Sequence, residues 1–236
     1  MGLHRGGVQD LKQFRELLNL IQNNPKHLQF SGLMGYDAHV GKIPKVIKST
    51  AKTYDQSQSE YQKYITCLTS DFPTLNHSDL CFNGAGSPTF SLHTEHSVCD
   101  DISFGSMLLK PTDFDLPTLA DFQSALWIAT PVLKKLPTTQ IPGLALLDKA
   151  PTHKNALFVY GGYWMANYVY PEGAQTNSLY GRSSNQELVN VPKSSDIQVD
   201  DFVFLHPTQS EAVISQFEQV WLYSANGFTP WETFRA

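Results

Sequence analysis

Apolar residues recur at helical spacing near the start of the chain. Leu11, Phe14, Leu17, Leu18 and Ile21 fall on one face. Asp10 stands where a helix cap belongs, and Gln13 three residues on completes a capping box. Asn23-Asn24-Pro25 ends the pattern, and Leu28 to Tyr36 reads as a strand. Helix then strand, joined by a short connection, is an α/β unit. From Lys45 to Leu68 the pattern is helical again, with Tyr61, Tyr64, Ile65 and Leu68 as the apolar stripe. Asp71-Phe72-Pro73 breaks it. Leu80-Cys81-Phe82 predicts a short buried strand, and Asp101 to Leu108 a further strand ending on Gly105 and Ser106.

After Asp115-Leu116-Pro117 the texture changes. Ala125–Thr130, Ala156–Tyr160, Phe202–Leu205 and Val220–Tyr223 are short and rich in β-branched or aromatic residues, with Pro, Gly and Asn between them. Asn226-Gly227 is a hairpin-turn signal. The pattern predicts an α/β part over 1–115 and a mostly antiparallel β domain over 116–236. No internal repeat or low-complexity tract interrupts either.

Composition narrows the function classes. The 236 residues are 41% hydrophobic and 17% charged, so the chain is expected to fold. The net charge is −5 and no basic run is present, which argues against nucleic acid as a partner. No apolar run approaches membrane-spanning length, and the N-terminus does not read as a signal peptide. Cys67, Cys81 and Cys99 lack CxxC spacing and are expected to be reduced, buried thiols of a cytoplasmic protein.

Candidate chemistry clusters at predicted strand ends. Asn83-Gly84-Ala85-Gly86-Ser87-Pro88-Thr89 follows a strand, turns on two glycines and offers two hydroxyls. Glycines let backbone amides approach an anion, and a bent run of N–H groups makes an anion-binding nest. An ordinary strand-to-helix turn has the same look. Phe104-Gly105-Ser106 repeats the chemistry, so one phosphate held between two strand ends is a second reading of both. Tyr36-Asp37-Ala38-His39 ends the earlier strand: Tyr36 is placed to stack on a planar ligand and His39 to move a proton. Arg5, beside a glycine pair, is an anion-binding candidate or a solvated terminal arginine. His93-Thr94-Glu95-His96, with Cys99 and Asp100, has the residue types of a metal cluster, but without zinc-site spacing it is expected to be a helix surface between two strands.

Taken in order, Gly2-Leu3-His4-Arg5-Gly6-Gly7, Gly32-Leu33-Met34-Gly35-Tyr36-Asp37-Ala38-His39, Asn83 to Thr89 and Phe104-Gly105-Ser106 resemble the fold-type III pyridoxal-phosphate enzymes. The branch most similar is that of D-threonine aldolase and D-serine dehydratase, relatives of alanine racemase. Gly161-Gly162-Tyr163 and Pro207 to Val213 fit the β domain of that group. The resemblance implies the C-terminal portion of a (β/α)8 TIM barrel that binds pyridoxal 5'-phosphate, followed by the β domain, and a homodimer for the complete enzyme. It implies that Arg5 lies near the cofactor and the substrate carboxylate, and that Tyr36 packs beside the pyridine ring. It implies that Gly84, Gly86, Ser87, Thr89, Gly105 and Ser106 hold the phosphate.

Two departures accompany it. The family's Schiff-base lysine precedes the arginine motif, and this chain starts at that motif; Lys42, Lys45 and Lys48 follow Tyr36 in a loop or helix. The first strands of the barrel are therefore expected to be missing, and covalent catalysis by this chain alone is in doubt. The family's metal pair after the β-domain proline aligns with Gln209 and Glu211, and shifting the register offers His206 and Thr208. An amide is a poor zinc ligand, so a metal is doubtful and His206, Gln209 and Glu211 are expected to contact substrate or to orient a hairpin. The implied activity is a lyase acting on small D-amino acids such as D-serine or D-threonine. Racemisation, or a non-catalytic fragment, is the alternative.

Overall fold

The computed structural model describes residues 7–44, 46–143 and 153–234. They fall into two units, Met1–Met107 with Phe114–Phe122, and Leu108–Asp113 with Gln123–Ala236. The first is α/β and the second is almost wholly antiparallel β.

Unit one begins with α1, Leu11–Asn23. Asp10 caps it, its carboxylate accepting from the Gln13 amide at 2.8 Å. The return bond of the expected box goes one residue further back: Gln13 Oε1 accepts from the Gln9 amide at 2.9 Å. Phe14 and Leu18 are buried, whereas Leu17 is 42% exposed, so the buried stripe is narrower than the sequence pattern. The expected strand at 28–36 shortens to β1, Gly32–Met34. Gly32 has φ +137°, a conformation that side chains rarely adopt, so extended pairing begins only there. α2 runs from Thr50 to Asp71, five residues later than its apolar pattern begins. Ser49 caps it through the Lys52 amide. β2 (Cys81–Gly84) and β3 (Asp101–Ile102) complete a three-stranded parallel sheet in the order β1-β2-β3.

Both helices bury their stripes against this sheet. Phe14 and Leu18 of α1 and Tyr61, Tyr64, Cys67 and Leu68 of α2 meet Phe30, Leu33, Phe72 and Leu80 in one core. The Phe14 and Tyr64 rings meet edge to face at 5.3 Å. The Tyr61 hydroxyl sits 3.0 Å from the Leu33 carbonyl and 2.9 Å from that of Asn83. One buried proton thus bridges β1 and β2 at their C-terminal ends. Of the three thiols, Cys67 is buried as expected, but Cys81 is exposed, since β2 is short and edge-like there; all three are free.

Unit two contains β4 (Ile128–Leu136), β5 (Lys154–Tyr160), β6 (Ala166–Tyr170), β7 (Gln175–Thr176), β8 (Gln186–Pro192) and β9 (Phe202–Pro207). They form one antiparallel sheet in the order β6-β9-β4-β5-β8-β7. α3, Ser210–Ile214, follows β9. Val132, Leu157, Val159, Val189, Val191 and Val203 alternate inward from β4, β5, β8 and β9 to make its core. Four spacings separate β6 from β8, roughly 19 Å in a flat sheet. Yet the Tyr168 hydroxyl of β6 donates to Glu187 Oε1 of β8 at 2.7 Å. The sheet therefore rolls until its distant strands touch. Arg182 seals the contact: its guanidinium lies 2.8 Å from Glu187 Oε1, packs 5.1 Å from the Tyr168 ring centre and also donates to the Ala166 carbonyl. Glu187 is buried, and these three donors (with the Ser183 amide at 3.4 Å) replace its water.

β10 (Gln219–Ser224) and β11 (Gly227–Glu232) form a separate hairpin. Ser224 pairs with Gly227, so Ala225 and Asn226 form the turn and Gly227 follows with φ +99°. The turn is one residue earlier than Asn226-Gly227 would place it, with the glycine in the left-handed position after it.

A Cβ added at Gly32 would overlap the Cys81 carbonyl oxygen, backbone against backbone. We expect Gly32→Ala to destabilise unit one by about 3 kcal/mol or more, through lost β1–β2 pairing and a forbidden φ. Urea denaturation followed by the helical circular-dichroism band, which α1 and α2 dominate, measures it; a shift within 0.5 kcal/mol, an ordinary surface value, would refute this account.

Candidate functional site

β2 delivers the chain into the glycine loop, and the backbone there bends sharply. Ala85 has φ +69°, the left-handed region that a residue with a side chain enters at a cost. Residues 84–89 are all buried. The amides of Thr89 and Phe90 both point back to the Gly86 carbonyl, at 2.9 and 3.0 Å. Among the described residues, the amides of Ala85, Gly86 and Ser87 donate to no protein acceptor. Three successive buried N–H groups in a kinked turn are rarely left unpaired, and converging ones make an anion nest.

A second loop closes on the first. Ser87 Oγ accepts from the Gly105 and Met107 amides, both at 3.2 Å. With its lone pairs engaged, Ser87 keeps a proton for a further acceptor. β3 ends at Ile102, well before Gly105, and a 3-10 turn starts at Ser106. No atom of the described residues lies within 4 Å of where a Gly105 side chain would sit. The Tyr36 ring lies on the loop: a Cβ on Gly86 would come 2.6 Å from its Cε2. Tyr36, Gly84, Gly86, Ser87, Gly105 and Ser106 thus gather at the C-terminal ends of β1 and β2. Thr89 is in the loop but faces inward, fully buried, its hydroxyl donating to Asp37.

The sequence reading missed what lies behind this loop. His93 is not on a helix surface. A 3-10 turn at Phe90–Leu92 turns the chain inward, and the His93 side chain is only 2% exposed. Its Nε2 is 3.0 Å from Asp37 Oδ2 and its Nδ1 is 2.8 Å from Ser97 Oγ. His93, Asp37, Tyr36, His39, Gln56, Gln58, Tyr61 and Ala85 line a cavity of about 440 Å³. His39 Nδ1 is buried there without a hydrogen-bond partner among the described residues. Among the described residues, no lysine lines this cavity. Of the predicted loop or helix lysines, Lys48 reaches Gln56 of α2 and Lys45 lies outside the described residues. Arg5 also lies outside them.

The remaining predicted site residues belong to unit two. His206 ends β9 and is mostly buried; its Nε2 donates to the Lys110 carbonyl at 3.1 Å and its ring stacks on Trp127 with centroids 6.2 Å apart. The carbonyl can only accept, so Nδ1 carries the lone pair. Gln209 precedes α3, and its amide nitrogen donates to Asp113 Oδ2 at 3.2 Å. Glu211 is exposed in the first turn of α3. No group of three potential metal ligands occurs among the described residues. With Gln209 turned to Asp113 as a donor, the Gln209–Glu211 pair does not fit a zinc site.

No protein-family model and no curated protein matches the sequence. Solved structures do match. A D-threonine aldolase from Filomicrobium marinum superposes with a TM-score of 0.68 at 14% identity, over 97% of this chain and 59% of that one. The fold is that of the fold-type III enzymes. The D-threo-3-hydroxyaspartate dehydratase from Delftia sp. HT23 gives 0.65 at 14% identity, over 100% of this chain and 64% of that one. An alanine racemase from Bacillus anthracis gives 0.57 at 13% identity, covering 87% and 52%. The chain thus spans between about half and two thirds of the length of these fold-type III structures. The described residues of unit one contain three parallel strands. No helix among them is long and apolar enough to cross a membrane.

Burial lowers the pKa of His206 below its ordinary value of 6.5, only partly offset by the bond to the Lys110 carbonyl. The unfolded chain then binds the proton more readily. The stability tied to neutral His206 is fully present above about pH 6.5 and is lost as pH falls through the lower folded value. We expect His206→Gln to flatten the acid side of the unfolding profile between pH 5 and 7. Urea midpoints at each pH test this, and parallel wild-type and variant profiles would exclude it.

Proposed function

We propose that this chain is the phosphate-holding part of a pyridoxal-phosphate enzyme acting on small D-amino acids. The observation that carries this reading is the row of buried, unpaired amides at Ala85, Gly86 and Ser87. A dianionic phosphate would satisfy all three, with the Ser87 hydroxyl as a fourth donor. Gly105 and Ser106 bring the second loop to the same place. Tyr36, set against Gly86, would fix the plane of the ring next to the phosphate.

Pyridoxal phosphate, when bound, supplies an electron sink for the bond broken at the substrate's α-carbon. The protein's part is binding, orientation and proton movement. The amides and Ser87 bind. Tyr36 orients. His39, with its buried Nδ1 unpaired, is the residue in this cavity best suited to hold or move a proton. Arg5 is the proposed partner of the substrate carboxylate. His206, Gln209 and Glu211 are the substrate-contact candidates of unit two. No step is assigned to a metal, because Gln209 and Glu211 do not make a fitting donor pair.

Deamination of a small D-amino acid such as D-serine, or retro-aldol cleavage of one such as D-threonine, is the leading reaction, and racemisation is its nearest rival. A non-catalytic reading also has support: among the described residues, no lysine lines the cavity beside the loop to form the covalent link.

Titrating the 236-residue chain with pyridoxal 5'-phosphate tests the proposal. We expect saturable binding in the micromolar range, competed by inorganic phosphate. Gly86→Ala should weaken it at least tenfold, about 1.4 kcal/mol, because the new methyl displaces Tyr36. Borohydride separates the two readings, since a labelled lysine peptide requires a covalent link. Absence of binding at millimolar concentration would overturn the proposal.

A further inference from the structure

Asp37, His93 and Thr89 form a connected set of buried polar side chains that makes no direct contact with the open face of the phosphate loop. Asp37 is 5% exposed and follows Tyr36 directly in the chain. A carboxylate removed from water must be paired or it destabilises the fold. Each of its oxygens has one partner: Oδ1 accepts from Thr89 Oγ1, and Oδ2 faces His93 Nε2 at 3.0 Å. Thr89 is the last residue of the loop, and its amide also closes on the Gly86 carbonyl. One carboxylate therefore fastens the residue next to Tyr36 to the far end of the loop that Tyr36 covers.

His93 anchors that carboxylate to the rest of the unit. Its Nδ1 meets Ser97 Oγ, which in turn accepts from the Cys99 amide at 3.1 Å. The Val98 amide donates to Gln58 Oε1 of α2 at 2.9 Å. The His93 ring packs edge to face on Tyr54 of α2, 5.2 Å between centroids. The chain of contacts runs from the helix, through His93 and Asp37, to Thr89 and the loop.

We propose that His93 is a positioning residue: through Asp37 and Thr89 it fixes the separation of Tyr36 and the 84–89 loop, and so presets the anion nest. The assignment of the anion as a cofactor phosphate rests on the function proposed above; the mechanical role of His93 does not.

The test compares His93→Leu with His93→Gln, because glutamine places an N–H donor near the position of Nε2 and leucine has none. Hydrogen exchange by mass spectrometry reads the loop without any ligand. The Thr89 and Phe90 amides, bonded to Gly86, are the reporters, and α1 is the internal control. We expect His93→Leu to speed exchange at those amides about tenfold while α1 changes less than twofold. Pyridoxal 5'-phosphate affinity should fall by a similar factor, and His93→Gln should restore both. Thr89→Val, of nearly equal size, should reproduce the loosening if His93→Leu does not fold. Unchanged loop exchange in the folded variants, or equal acceleration in loop and α1, would overturn the positioning role. If the exchange pattern holds but the wild-type chain binds no pyridoxal phosphate, positioning stands and the cofactor assignment falls.

Discussion

Unit one depends on how a few buried polar groups are satisfied, and the carboxylate of Asp37 is the most demanding of them. A carboxyl group that is 5% exposed has lost nearly all its water, so its partners must sit at fixed places. Those partners come from two separate turns of chain, at Thr89 and His93. The Tyr61 hydroxyl does the same one layer down, between the carbonyls of Leu33 and Asn83. The apolar core of Phe14, Leu18, Tyr64 and Leu68 holds the helices to the sheet, but it is not directional. The two polar contacts supply direction, and both act at the strand ends, where a ligand would sit.

The 84–89 loop shows the opposite condition. There the polar groups are buried and left unpaired, and Ala85 accepts a left-handed backbone to keep them so. A fold tolerates such a feature when neighbours over-determine it. Ser87, bonded to both Gly105 and Met107, and Thr89, bonded to Asp37, are those neighbours. Within unit one, stabilising contacts and unpaired amides thus occur on the same six residues.

Much of this was legible in the sequence where the cause was local. Asp10 announced its helix because capping needs only nearby amides. Gly84, Gly86 and Ser87 announced a loop, and the ordered series of glycine-rich turns announced the fold. What was missed depends on distant partners. His93 looked like a surface residue because Asp37, 56 positions away, is what draws it inward. The strand before Tyr36 was drawn too long because its start is set by the fit of Gly32 against Cys81. β6 and β8 left no strong alternating pattern, since one contains Tyr168 and the other Glu187, polar ends turned inward to meet each other. An inward glutamate reads as a surface glutamate until its arginine and tyrosine are in view.

The placement of the indole rings carries an optical consequence. All four tryptophans, Trp127, Trp164, Trp221 and Trp231, belong to the β unit, and the α/β unit holds none. Tyr36, Tyr61 and Tyr64 line its cavity instead. Light absorbed at the red edge of the aromatic band excites the β unit alone. A single emission trace taken there therefore describes only one of the two halves of this polypeptide.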